Sequence, residues 1–192
     1  MTIVQDRAHT ARRAMIDSQL RVSGVNDPAV LAAMDAVARE DFVPAAVKDH
    51  AYIDRALPLG DGHALPAPLV HGLILTEAQL QPGESVLVVS AAGYLGALAA
   101  QLGGAVAVVA PGAAVDGDPV GLILIDGAIE QLPEGLAGRL AEGGRIVTGL
   151  VENGVTRLAA GTKVGGAVSL VPLADVGMPV LAEYAAPKRW SF

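Results

Sequence analysis

Cysteine is absent from the 192 residues, and aromatic residues make up only 3% of them. Without thiols there is no disulfide, no thiolate zinc site and no sulfur nucleophile. With so few aromatics, the 52% hydrophobic content falls mainly on Ala, Val and Leu, with Gly abundant beside them. That mix suits Ala- and Leu-based helices packed on Val-rich strands. It is enough to bury a core, which excludes a disordered chain. Positive charge is scarce as well. There are 13 Lys and Arg against 20 Asp and Glu, a formal charge of −7. A nucleic-acid binder needs cations facing phosphates, so no nucleic-acid partner is expected. An unbroken hydrophobic run is also missing. Ser85 to Val115 holds no charge, but Gly93, Gly96, Gln101, Gly103 and Gly104 divide it into short pieces. A membrane helix needs about 20 consecutive apolar residues, so no membrane span is expected. Met1 to Thr10 has no apolar signal-peptide core, and a cytoplasmic protein is expected.

The few cations are unevenly spread. Between Arg55 and Arg139 lie 83 residues with no Lys or Arg and with eight acids: Asp61, Glu77, Glu84, Asp116, Asp118, Asp126, Glu130 and Glu134. A phosphate-rich ligand would lose its best side-chain partners there. Buried parallel strands, which exclude charge by themselves, account for the same gap.

The first third reads as helical, over Asp6 to Val22 and again after Asn26-Asp27-Pro28, a capping side chain followed by a first-turn proline. Phe42-Val43-Pro44 opens a short helix through Lys48. Tyr52 to Pro68, rich in Pro and Gly, reads as a loop, and loops of about 15 residues inside a compact domain are often functional. Leu69 to Leu80 is an amphipathic helix. Val86 to Val89, Ala97 to Leu102 and Val106 to Val109 then read as strand, helix and strand. A third strand, Leu122 to Ile125, ends at Asp126-Gly127. Leu132 to Leu140 reads as a helix stopped by Gly143-Gly144. Ile146 to Val151 is a strand, and Asn153-Gly154 is a hairpin turn. Val155 to Ala159 and Ala167 to Leu173 complete an antiparallel tail. The fold class is α/β: a mostly parallel sheet with an antiparallel C-terminal end and an N-terminal helical region. Residues 1–68 carry the helices and the loop, and 69–192 the α/β part of one compact unit.

Several stretches resemble protein-L-isoaspartate O-methyltransferases. They include Met15 to Arg21, Asp27 to Met34, Phe42-Val43-Pro44, and above all Tyr52-Ile53-Asp54-Arg55-Ala56-Leu57-Pro58-Leu59-Gly60. The likeness continues through Pro68, Leu80 to Leu87, Leu124 to Ala128, Leu140 to Ile146, and Pro172 to Phe192. The resemblance implies a class I methyltransferase fold, Rossmann-like, with S-adenosylmethionine as methyl donor. It implies protein substrates carrying L-isoaspartyl carboxylates.

Against that family's pattern the chain shows specific changes. The substrate loop is Gly60-Asp61-Gly62-His63-Ala64-Leu65-Pro66-Ala67-Pro68. Its glycines and Pro68 match the family, but Pro66 stands where the family carries a serine. Proline has neither a hydroxyl nor a backbone N–H to offer. Asp61 sets a negative charge where a carboxylate would approach. The cofactor turn is Ser90-Ala91-Ala92-Gly93-Tyr94, with Val88 in place of an acid before it. Ala110, followed by Pro111, stands where the family places an acid for the ribose hydroxyls. Ser90, Gly93, Tyr94, Ala110 and Asp126 are the positions the resemblance assigns to the cofactor. Pro111 to Gly121 replaces a helix, a strand and a second helix, and even one crossover needs about a dozen residues.

His63 is the one titratable side chain in the loop able to act as a base. His71, on the helix after the loop, reads as packing or surface. The four histidines form no i, i+4 pair and suggest no metal site. Two functions follow: an isoaspartyl methyltransferase that is weak or inactive, or a non-catalytic homologue serving as a binding or structural module. Without the outer strand, Val106 to Val109 becomes an open sheet edge beside an apolar face. A homodimer burying that strand or the Ala97 to Leu102 helix is expected.

Overall fold

The structure is a computed structural model and describes residues 3–187. A six-stranded sheet in the order β4-β3-β5-β6-β7-β8 forms its centre. The strands are β3 (Ser85–Val89), β4 (Ala105–Val109), β5 (Val120–Ile129), β6 (Leu140–Glu152), β7 (Val155–Val164) and β8 (Ala167–Asp175). β4, β3, β5 and β6 run parallel, and β6, β7 and β8 antiparallel. The fold class is the one the sequence implies. The β6–β7 turn is Asn153-Gly154 with φ of 52° and 78°, a pair of left-handed residues whose twist matches that of the flanking strands.

The two central strands alternate with a period of two. Val86, Val88, Leu122 and Leu124 join one apolar cluster, and Leu87, Val89, Ile123 and Ile125 join another. The centre of the sheet is therefore buried on both faces, which is why these segments read as continuous apolar runs. Helices α1 (Ile3–Met15), α2 (Pro28–Ala36), α3 (Pro68–Ala78) and α4 (Tyr94–Gln101) contribute to the first cluster or pack beside it. α1 continues through a π turn and a 3-10 turn to Ser23, so the helical reading to Val22 holds. Asp27 caps α2, accepting from the N–H groups of Ala29 and Val30 at 2.8 and 3.3 Å.

Several details differ from the sequence reading. Tyr52 to Pro68 is not a plain loop. It contains a hairpin, β1 (Leu57–Gly60) with β2 (His63–Leu65). Gly60, Asp61 and Gly62 all have positive φ (104°, 50° and 81°) and reverse the chain. β5 does not end at Asp126-Gly127 but runs on to Ile129. α5 is shorter than the helical reading, Glu134–Arg139, and Gly143-Gly144 lies inside β6. There the register slips, Val120 pairing with Leu140 and Leu122 with Arg145. The glycines accommodate an irregularity in the strand.

The most consequential difference concerns the second face. The chain from Ala110 crosses from β4 to β5 without a helix. Leu136 of α5 and Val115 of the crossover cover only part of the apolar surface. A C-terminal segment, Pro179 to Ala186, supplies the rest. Leu181 and Tyr184 are buried in the same cluster as Val89, Ile125 and Ile129. Ala128 donates to the Pro179 carbonyl and accepts from the Leu181 N–H, each at 2.8 Å, so the segment adds to β5 as a short parallel strand. The face left by the missing helices is thus closed from within the chain. Among the described residues the β4 edge stays open: β4 pairs only with β3, and Val108 is 47% exposed.

Candidate functional site

In an open, mostly parallel sheet, ligands bind outside the carboxyl ends of the strands where the strand order reverses. Here that point is the end of β3, since β4 lies on one side of it and β5 on the other. A buried chain of polar side chains sits there. Arg39, His71, Ser90 and Asp126 are each no more than 5% exposed. Arg39 Nε donates to the Ala51 carbonyl at 2.7 Å, and Nη2 donates to the Pro66 carbonyl at 2.6 Å. Arg39 Nη1 lies 3.2 Å from His71 Nδ1, and His71 Nε2 lies 2.9 Å from Asp126 Oδ1. Ser90 Oγ donates to Asp126 Oδ2 at 2.7 Å and accepts from the Gly93 N–H at 2.9 Å.

The protons in this chain are fixed by elimination. Arginine can only donate, so His71 Nδ1 accepts and Nε2 carries the proton. A neutral His71 therefore donates to an ionised Asp126. Asp126 also receives the Ser90 hydroxyl, and Arg39 balances its charge through the imidazole. Burial pulls the Arg39 guanidinium below its ordinary pKa, while Tyr94, Asp126 and Tyr52 oppose that shift. The group stays charged, since arginine is not deprotonated inside proteins. The guanidinium lies 5.3 Å from the centre of the Tyr94 ring, within cation–π range.

The arrangement is ordered as His71–Asp126–Ser90, with the carboxylate in the middle. Among the described residues no imidazole bonds to the Ser90 hydroxyl, so the serine lacks the base that a nucleophile needs. The chain ties two loops together. Arg39 holds the Pro66 carbonyl beneath the β1–β2 hairpin, and Ser90 holds the Gly93 N–H at the start of α4.

The other sequence-derived positions fall as follows. Tyr94 is fully buried, packs on Phe42 and edge-on against His71, and its hydroxyl has no partner among the described residues. Burial pushes its phenol up to about 12. Gly93 has φ of 79° and precedes α4. Val88 is fully buried on the helix-covered face. Ala110 is exposed at the end of β4 and presents only a methyl group. Asp126 has both oxygens engaged, as described. Pro68 is buried at the first turn of α3. His63 points to the C-terminal segment, its Nε2 2.9 Å from Glu183 Oε1. A cleft of about 70 Å³ separates Asp61 to Ala64 from Pro179 to Glu183. Small-molecule sites are usually about 300–1,000 Å³. Among the described residues, no three His, Asp or Glu side chains group as metal ligands, and no helix is long and apolar enough to cross a membrane.

Sequence reasoning missed Arg39 altogether and took His71 for packing or surface. A signal was available for His71. It lies three residues past the helix-starting Pro68, on the same helix face as the buried Ile74 and Leu75. A polar residue on an apolar helix face calls for a partner. Arg39 carried no such signal, because its burial depends on tertiary packing.

The model of the family "Protein-L-isoaspartate(D-aspartate) O-methyltransferase (PCMT)" matches residues 10–113. A protein-L-isoaspartate O-methyltransferase of Methylorubrum populi is 34% identical, covering 85% of this chain and 94% of that protein. One from Methylorubrum extorquens is also 34% identical, over 88% of this chain and 90% of that one. A crystal structure from Plasmodium falciparum, assigned as a protein-L-isoaspartate O-methyltransferase and holding S-adenosyl-L-homocysteine, superposes with a TM-score of 0.74. It is 19% identical and covers 92% of this chain and 98% of that one, so it speaks for the fold.

Proposed function

Since the chain belongs to the protein-L-isoaspartate(D-aspartate) O-methyltransferase family, we propose that it keeps the methyltransferase scaffold while binding S-adenosylmethionine weakly and transferring methyl groups to isoaspartyl carboxylates slowly or not at all. The observation that carries this reading is the closed hydrogen bonding at the end of β3. Ser90 and Asp126, at two of the cofactor positions, spend their polar atoms on each other, on His71 and on Gly93. Ala110 and Val88 have none to spend. The residues present do not fit the cofactor.

The acceptor side supports the same reading. Pro66 has no hydroxyl, and its carbonyl is taken by Arg39. Asp61 sits at the tip of the hairpin. Two unit charges about 4 Å apart repel by roughly 1 kcal/mol in water and by more when desolvated. His63, the loop's one candidate base, is engaged with Glu183. A radiolabelled-methyl assay with isoaspartyl peptides at saturating cofactor tests the proposal, and counts at the no-enzyme background are the expected result. Robust turnover, lost on His63→Ala, would overturn the reading and make His63 the base.

The alternative is a binding or structural module, favoured by the open β4 edge. An edge strand with no lysine, proline or other charge to blunt it tends to pair. We propose a homodimer through Ala105–Val109 or the neighbouring α4. The closed second face removes part of the original reason for a dimer and leaves the edge as its basis. Light scattering at tens of micromolar is expected to give a dimer that Val108→Lys dissociates. A monomer, or a dimer indifferent to that substitution, contradicts it.

A further inference from the structure

We propose that Pro179 to Ala186 is a self-occluding strap that fills the cofactor crevice as an intramolecular ligand, so that S-adenosyl compounds bind only when it lifts. The proposal rests on the weak-cofactor reading and explains it by occupancy as well as by lost polar groups. Its basis is topological. The segment is fastened on both sides of β3. On the β5 side it bonds to Ala128, and the N–H groups of Glu130 and Gln131 donate to the Tyr184 carbonyl, each at 3.2 Å. On the β4 side, the N–H of Gly112, two residues past Ala110, donates to the Tyr184 hydroxyl at 3.0 Å. β3 lies between β4 and β5. A segment held at both flanks must cross β3 near its carboxyl end, the place where the strand order reverses.

The fit is close. A Cβ added to Gly112 would lie 2.9 Å from Glu183 Cγ, and one added to Gly127 would lie 2.8 Å from Leu181 Cγ. Two glycines thus let backbone and strap approach directly. A third fastening joins the strap to the hairpin, His63 to Glu183, at a site about one-quarter exposed on each side. The cleft left between hairpin and strap, about 70 Å³, cannot take a nucleoside. Leu181, Tyr184 and the bonds to buried Ala128 anchor the strap, and its fastenings at Glu130, Gln131, Gly112 and His63 are hydrogen bonds at or near the surface. Segments held in that way open at lower free energy than the core.

The test uses the full chain with the double substitution His63→Ala and Tyr184→Phe, which removes two fastenings and keeps the Tyr184 ring in the core. Amide hydrogen exchange is read at Glu130, Gln131 and Leu181, and at Ala128, whose N–H donates to the strap, and compared with core amides of β3 and of Leu122 to Ile125 in β5. S-adenosylhomocysteine is titrated by calorimetry. Protection at these four amides, which report the strap's bonds and are called the strap amides, is expected to fall about tenfold while the core amides are unchanged. The apparent dissociation constant is expected to fall by a similar factor, because it scales inversely with the open fraction. If the strap amides exchange only together with the core, or if protection falls and affinity does not follow, the strap is overturned. Micromolar affinity in the unaltered protein with strap amides still protected overturns both the strap and the weak-cofactor reading. The same affinity with strap amides deprotected by ligand overturns only the latter.

Discussion

Arg39→Ala is expected to destabilise the protein by about 3–5 kcal/mol, the range for breaking a buried charge pair from one side. The substitution leaves ionised Asp126 without its counter-charge. It strips the Ala51 and Pro66 carbonyls of their donor and empties a volume beneath the Tyr94 ring. For a domain whose total stability is about 5–15 kcal/mol, that is a large share. Urea denaturation measures it, as a lower midpoint at unchanged slope. Arg39→Lys keeps the charge, but a single ammonium cannot reproduce the three-directional guanidinium fork, so an intermediate loss is expected. Asp126→Asn added to Arg39→Met should cost less than the two changes summed, because it removes both charges. A loss below about 1 kcal/mol for Arg39→Ala, typical of a surface ion pair, would show that the network does not hold the two loops together.

Val88→Asp is the second large effect. It puts back the acid that the family carries at the end of its first strand. Here position 88 is fully buried in the helix-covered cluster and pairs with Leu124 of β5. A carboxylate placed there must be desolvated or protonated, at a cost of about 3 kcal/mol or more. Thermal melts should show a fall of many degrees, since each 1 kcal/mol moves the midpoint by about 2–4 °C at this size. Cofactor affinity is expected not to improve. A stable Val88→Asp protein with tight S-adenosylmethionine binding would mean that the missing acid alone had weakened the site.

These substitutions show where the sequence was informative. The strands Val86 to Val89 and Leu122 to Ile125 were legible because burial on both faces leaves an uncharged run with turn residues at its ends, and Val106 to Val109, although an exposed edge, was legible from its β-branched run. Asp27 before Pro28 was legible because a cap acts locally. The irregular part of β6 was not, since Gly143-Gly144 ends a helix as readily as it accommodates an irregularity in a strand. The hairpin inside Tyr52 to Pro68 hid behind its prolines. The strap was invisible for a different reason. Leu181 and Tyr184 earn their place only against a face exposed by the missing crossover helices, more than fifty residues earlier in the chain. At the site, the altered loop residues could be read one by one. The pairing of Ser90 with Asp126, and of both with His71 and Arg39, required the fold to bring four separate segments together.

Calorimetric titration of S-adenosylmethionine into the unaltered protein tests the central claim most directly. A dissociation constant weaker than about 100 µM, equivalent to a binding free energy no better than about −5.5 kcal/mol, is the result expected from spent polar atoms and an occupied crevice. A micromolar constant would contradict it.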